Sequence, residues 1–115
     1  MAVVSPQVIV EYFDVTTRPR GVSPAVFSKD DALRAIEAIL ASCRCLDLTP
    51  ITAFAAARAA NRYQMRIFDA HIWAAARVNG IETILTEDAQ SRAAIEGVRY
   101  VNLFAPNFTP SQIGL

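Results

Sequence analysis

Three acidic residues sit where acids are out of place in the local pattern. Glu11 interrupts the apolar run VIVEYFDV, Asp69 precedes the apolar run AHIWAAARV, and Asp88 follows IETILTE. Asn102 falls within another apolar run, YVNLF, and Thr86 stands two positions ahead of Asp88. In an open parallel sheet, functional groups gather at the carboxyl ends of strands and at the adjoining helix starts. Asp69, Asp88, Glu11 and Asn102 all fall at or near such positions once helices and strands are placed, so three acids and an amide can converge on one edge. Clustered carboxylates repel, raise one another's pKa and call for a neutralising cation. A donor set made only of oxygen suits Mg²⁺ or Mn²⁺. Such a metal polarises a phosphoryl oxygen and activates water for phosphodiester hydrolysis.

Each of these residues also has a plainer role. Asp69 can stabilise a helix N-terminus through the macrodipole. Asp88, beside Glu87, can be an ordinary turn acid. Glu11 shares its helix side with Val8 and Val15, so a buried ion pair with an arginine would satisfy it. Arg58, Arg62 and Arg66 recur every fourth residue, a spacing that can track phosphates or simply form a solvated face. His71, the single histidine, has no second His or Cys at ligand spacing and reads as a packed or partly exposed side chain. Cys43 and Cys45 are too close for an ordinary disulfide and do not match a zinc half-site, so they read as reduced, half-buried thiols. No nucleophile elbow or glycine-rich phosphate loop is present.

The bulk properties narrow the field further. The chain has 115 residues, 53% of them hydrophobic, which suits one domain with one core. Eleven basic and eleven acidic residues cancel, so any nucleic-acid contact must come from local clusters and not from the overall field. No apolar run reaches the ~18 residues of a membrane span. The start, MAVVSPQVIV, lacks a basic n-region and is interrupted by Pro6. A cytoplasmic protein with no membrane contact is expected.

The elements that must position the acids follow from periodicity and capping signals. AVV at 2–4 reads as the tail of a buried strand. Ser5 and Pro6 are N-cap and first residue of a helix running to about Arg18, apolar almost all round and therefore expected to be buried on most of its surface. PRGVSPAVF is a loop. Ser28 and Asp31 form a capping box that opens a helix to about Ser42, with Leu33, Ile36, Ile39 and Leu40 facing inward. CLDLT at 45–49 alternates as a short strand. Thr49-Pro50 starts an alanine-rich helix suited to close packing, and the stretch 65–80 forms the next, closed by Asn79-Gly80. IETILT is a strand, EDAQSRAAIEG a turn and short helix, VRYVNLF the last strand, and APNFTPSQIGL a tail with little reason to be ordered. Helix and strand alternate from residue 30 onward, which points to α/β architecture with a mostly parallel sheet.

Taken together, VVSPQVIVEYFDVTTRP, FDAHIWAAARVNGIETILTED and IEGVRYVNLF resemble the PIN-domain family, in particular its VapC-like toxin ribonucleases of toxin–antitoxin modules. The segments occur in the family's order, and the likeness covers nearly the whole chain. The resemblance implies a three-layer α/β/α sandwich with a mostly parallel central sheet. It also implies a Mg²⁺- or Mn²⁺-dependent endoribonuclease acting on RNA, with an antitoxin-like protein and a second copy of the chain as partners. By this resemblance Glu11, Asp69 and Asp88 match the family's metal-holding catalytic acids. Thr86 matches its small hydroxyl residue near the last acid, and Asn102 an additional polar position. A PIN-like domain over 1–105 is expected, followed by a tail over 106–115.

Two departures accompany the likeness. The family's first strand, bearing Asp in an Asp-x-Asn pattern, should precede AVVSPQ and does not, so the expected fold is an N-terminally truncated one. Leu103 stands where proline is frequent. Three readings of the missing strand stay open. The chain is a piece of a longer protein, a short form completed by a second chain, or a nuclease-inert remnant that keeps an interaction surface. The alternative function is thus an inert PIN-like module acting through dimerisation or an antitoxin-like partner. A receiver-type domain would need a downstream lysine, and Lys29, the single lysine, lies in a capping loop.

Overall fold

In the computed structural model, residues 2–86 and 94–114 are described. They form two compact units, Met1–Thr49 and Pro50–Leu115. The short helix expected within 87–97 falls largely outside the described residues.

The first unit begins with β1 (Val3–Val4) and α1 (Pro6–Thr17). Ser5 caps α1, its Oγ accepting from Val8 N at 3.3 Å, with Pro6 at the first helical position where a missing N–H costs nothing. At the other end Arg18 N donates to Asp14 O at 3.1 Å and its guanidinium pairs with the Asp14 carboxylate, which pushes the Arg18 pKa up. α2 (Lys29–Ser42) is capped by Ser28, whose Oγ accepts from Asp31 N at 3.1 Å. Two expectations fail here. No residue of α1 is buried, and Val10 and Val15 are exposed. In α2 the inner stripe is Ala32, Ala35, Ile36 and Ile39, whereas Leu33 and Leu40 are exposed. The α1–α2 contact turns the small residue Ala32 inward, and Leu33, one position on, and Leu40, two turns further along, lie roughly 80–100° round the helix from it.

β2 (Arg44–Cys45) pairs in parallel with β1, Val3 opposite Arg44 and Val4 opposite Cys45. The strand is shorter than the expected 45–49 because β1 offers two residues to pair with. Leu46 N still donates to Val4 O at 2.9 Å, and Leu46 is buried. Cys43 is half-buried and Cys45 exposed, both as free thiols.

In the second unit α3 (Pro50–Tyr63) and α4 (Ile67–Val78) pack against each other. α3 buries Thr52, Ala56 and Ala59; α4 buries Ala70, Trp73, Ala74, Ala75 and Ala76. Small side chains on facing stripes let two helices approach closely, and Met65, Trp73 and Val98 fill the remaining space of the core. α4 ends as expected at Asn79-Gly80. Gly80 adopts φ +70°, Ile81 N donates to Ala76 O at 2.9 Å, and Gly80 N to Arg77 O at 3.4 Å, the double bond pattern of a Schellman cap.

β3 (Thr83–Thr86) and β4 (Arg99–Asn102) form a parallel pair. β4 is entered through a two-residue turn in which Ile95 and Val98 exchange backbone hydrogen bonds and Glu96 and Gly97 take positive φ. The α/β class and parallel pairing are therefore as expected, realised among the described residues as one two-stranded sheet in each unit. The terminal stretch is more structured than its composition implies. Pro110–Ile113 form a 3₁₀ turn with a Thr109–Gln112 capping box, and Arg99 Nη2 donates to Gln112 O at 2.6 Å.

Candidate functional site

The parallel register of β3 and β4 sets Thr86 directly opposite Asn102 at the carboxyl ends of both strands. Two residues distant in sequence are thus brought together at the sheet edge where α/β folds carry their chemistry. Asn102 Oδ1 accepts from Phe104 N at 2.8 Å, turning the chain out of β4. Asp88 lies two positions beyond Thr86 in sequence and outside the described residues.

Asp69 sits exposed in the first turn of α4. Arg66 occupies the N-cap and supplies no side-chain cap, so the first-turn amides lack the usual Ser, Thr or Asp oxygen at that position. A carboxylate there is stabilised by the helix dipole whether or not it binds anything else. Glu11, in the first unit, is exposed on α1 and accepts from Gln7 Nε2 at 2.7 Å. Among the described residues Glu11 forms no ion pair with an arginine, and its exposed carboxylate is instead met by a neighbour four residues back. His71 is half-buried on α4.

The four-residue arginine spacing does not make one stripe. Arg58 and Arg62 share α3, but α3 stops at Tyr63, Gln64 takes φ +53°, and Arg66 becomes the N-cap of α4. Arg62 lies over the Tyr63 ring, 5.5 Å from its centroid. Tyr63 meets the Trp73 ring edge-on at 6.2 Å and donates its hydroxyl to Glu96 Oε2 at 2.7 Å. That hydrogen bond raises the Tyr63 pKa. Trp73 Nε1 donates to Ile95 O at 3.1 Å, so both aromatics fasten the turn that leads into β4. Beside them a cleft of about 370 Å³ is lined by Ile51, Phe54, Arg58, Trp73, Arg77 and Glu96, among others. Sequence reasoning missed this cleft. Arg77 carries only the signal of a basic residue in a last helical turn, and Phe54 that of an apolar residue in an amphipathic helix.

As donors, exposed carboxylates suit a hard divalent cation. Among the described residues no group of three or more His, Cys, Asp or Glu side chains comes together to hold one.

An α/β chain with parallel strand pairs, and with Thr86 and Asn102 opposed at one carboxyl edge, defines a class of fold that carries chemistry at strand ends. A family model for the PIN domain matches residues 1–96, and the chain belongs to that family. Its members are in general nucleases that use divalent metal ions and act on RNA. No curated protein and no solved structure gives a significant match. Among the described residues no helix is long and apolar enough to cross a membrane.

Proposed function

We propose that this chain is a metal-dependent endoribonuclease of the VapC toxin type, with a PIN-like domain over residues 1–105. The observation that carries the reading is the β3–β4 register, which sets Thr86 against Asn102 at the carboxyl edge, two residues ahead of Asp88 in sequence. Family membership supports the same reading from an independent direction.

Glu11, Asp69 and Asp88 would hold Mg²⁺ or Mn²⁺, and Thr86 and Asn102 would support them. Bound there, the ion supplies Lewis-acid polarisation of a phosphoryl oxygen and a water of lowered pKa. The acids set the charge and orientation of the site, and α4 presents Asp69 from a rigid, close-packed helix. An antitoxin-like protein and a second copy of the chain are the proposed partners, and the cytoplasm the proposed location.

The test combines calorimetric titration of Mn²⁺ with an RNA cleavage assay on the protein and on Asp69→Asn and Asp88→Asn. Tight Mn²⁺ binding is expected, with cleavage falling in each variant by more than the roughly 10–100-fold cost of losing an outer-shell partner. An Asp69→Asn protein that keeps full cleavage would return Asp69 to a helix-stabilising role. No binding at millimolar Mn²⁺ would overturn the enzyme reading for this chain.

One observation favours the second reading, an inert PIN-like module acting through dimerisation or an antitoxin-like partner. α1 carries exposed Val10 and Val15 and buries none of its residues, leaving apolar surface for a partner to cover. Sedimentation of the free chain separates the two. A dimer without metal-dependent cleavage supports the module.

A further inference from the structure

We propose that the cleft between the start of α3 and the end of α4 binds single-stranded RNA, with Phe54 stacking on a base and Arg58 and Arg77 holding the adjoining phosphates. This rests on the ribonuclease reading for its ligand, and it adds a contact point away from the acids.

Four observations carry it. First, Phe54 is 71% exposed although it lines a cleft, so its ring face is open to a planar partner. Every base offers a π-face, which makes such a platform tolerant of sequence. Second, Arg58 follows Phe54 by one helical turn and shares the cleft with Arg77 from the other helix. Neither guanidinium has an ion pair or hydrogen bond among the described residues, whereas Arg18, Arg34 and Arg99 are all engaged. Third, among the described lining residues the one carboxylate is Glu96, and it accepts from the Tyr63 hydroxyl. Fourth, the charge is segregated. The stretch from Pro50 to Val78 carries Arg58, Arg62, Arg66 and Arg77 against Asp69 alone, although the whole chain is neutral.

Arg77 lies eight residues beyond Asp69 on α4, about 12 Å along the helix axis at 1.5 Å per residue. RNA held in the cleft therefore reaches the acidic end of α4 only if it extends along the helix. The cleft acts as an anchor for the strand and not as part of the reacting centre.

The experiment is fluorescence anisotropy with a labelled oligouridine dodecamer in EDTA, where binding is read without cleavage. The wild-type chain binds. The Arg58→Ala/Arg77→Ala variant binds at least tenfold more weakly, and its log K against log salt slope is shallower by about 1.4, the share of two phosphate contacts on a single strand. Phe54→Ala weakens binding by roughly five- to a hundredfold, the range of one stacking contact, and Phe54→Trp retains it. All three positions are exposed, so circular dichroism and thermal midpoints stay near those of the wild type.

Full affinity in the variants would overturn the proposal, as would no binding by the wild type. Losses matched by equal losses for a polyglutamate peptide, with Phe54→Ala neutral, would point to an acidic protein partner instead and overturn it as well. A chain that binds in EDTA with these losses but never cleaves RNA with Mn²⁺ supports the cleft while sinking the hydrolase reading. Cleavage with variant-indifferent binding does the reverse.

Discussion

The two units put similar fractions of apolar sequence to different use. Pro50–Leu115 builds a close-packed helix pair in which Ala56, Ala59, Ala70 and Ala74 surround Trp73, itself 1% exposed. Met1–Thr49 has two helices as well, yet its buried apolar residues are Ala32 and Leu46, while Val10, Val15, Leu33 and Leu40 stay exposed. The difference lies in side-chain size and placement. Alanine on facing stripes brings backbones near enough for one large aromatic to complete the core. Branched residues spread all round a helix cannot all find a neighbour, because one packed contact covers only one stripe.

The contrast can be broken most severely at Trp73. Trp73→Ala removes the largest fully buried side chain and its hydrogen bond to Ile95 O, and should cost about 3–5 kcal/mol in urea unfolding. A loss below 1 kcal/mol would mean that the alanine stripes hold the second unit without it. Ala74→Leu, at a fully buried position, should overpack the helix interface and cost about 1–3 kcal/mol. Val10→Ser on exposed α1 should stay within about 0.5 kcal/mol in the free chain. A larger loss on Val10→Ser that depends on protein concentration would show α1 covered by a second copy.

Gly80→Ala tests the cap of α4. The cleared space around Gly80 makes the cost conformational, about 1 kcal/mol for an L-residue at φ +70°. The smallest effect is the pH response of Tyr63. Its hydrogen bond to Glu96 raises the phenol pKa, so the protonated form is favoured in the folded chain. The associated stability is present below the unfolded tyrosine value of about 10 and is lost as pH rises through the higher folded value. The difference between the absorbance titrations of the wild type and Tyr63→Phe should isolate one phenol whose midpoint lies above the free tyrosine value.

Much of the fold was legible because its signals are local. Ser5-Pro6, Ser28 and Asn79-Gly80 mark helix ends through a side-chain oxygen, a missing N–H and a left-handed turn, each contained within a few residues. Strand bounds were less legible. A strand extends only as far as its partner, so CLDLT contracted to Arg44–Cys45 opposite a two-residue β1. The tail was misread because its order depends on Arg99, more than ten residues away, and on a cap formed within the tail itself.

For the candidate site, the residue types and their order were enough to raise Mg²⁺- or Mn²⁺-dependent chemistry and the family that the match over 1–96 bears out. Sequence alone determined which acids are available and which of them opens a helix. The tertiary structure decided that Thr86 faces Asn102, because register is a property of two strands and not of either one. It also broke the apparent arginine row and regrouped Arg58 with Arg77 and Phe54 across two helices. Spacing along a chain predicts neighbours only while one helix continues, and α3 ends at Tyr63.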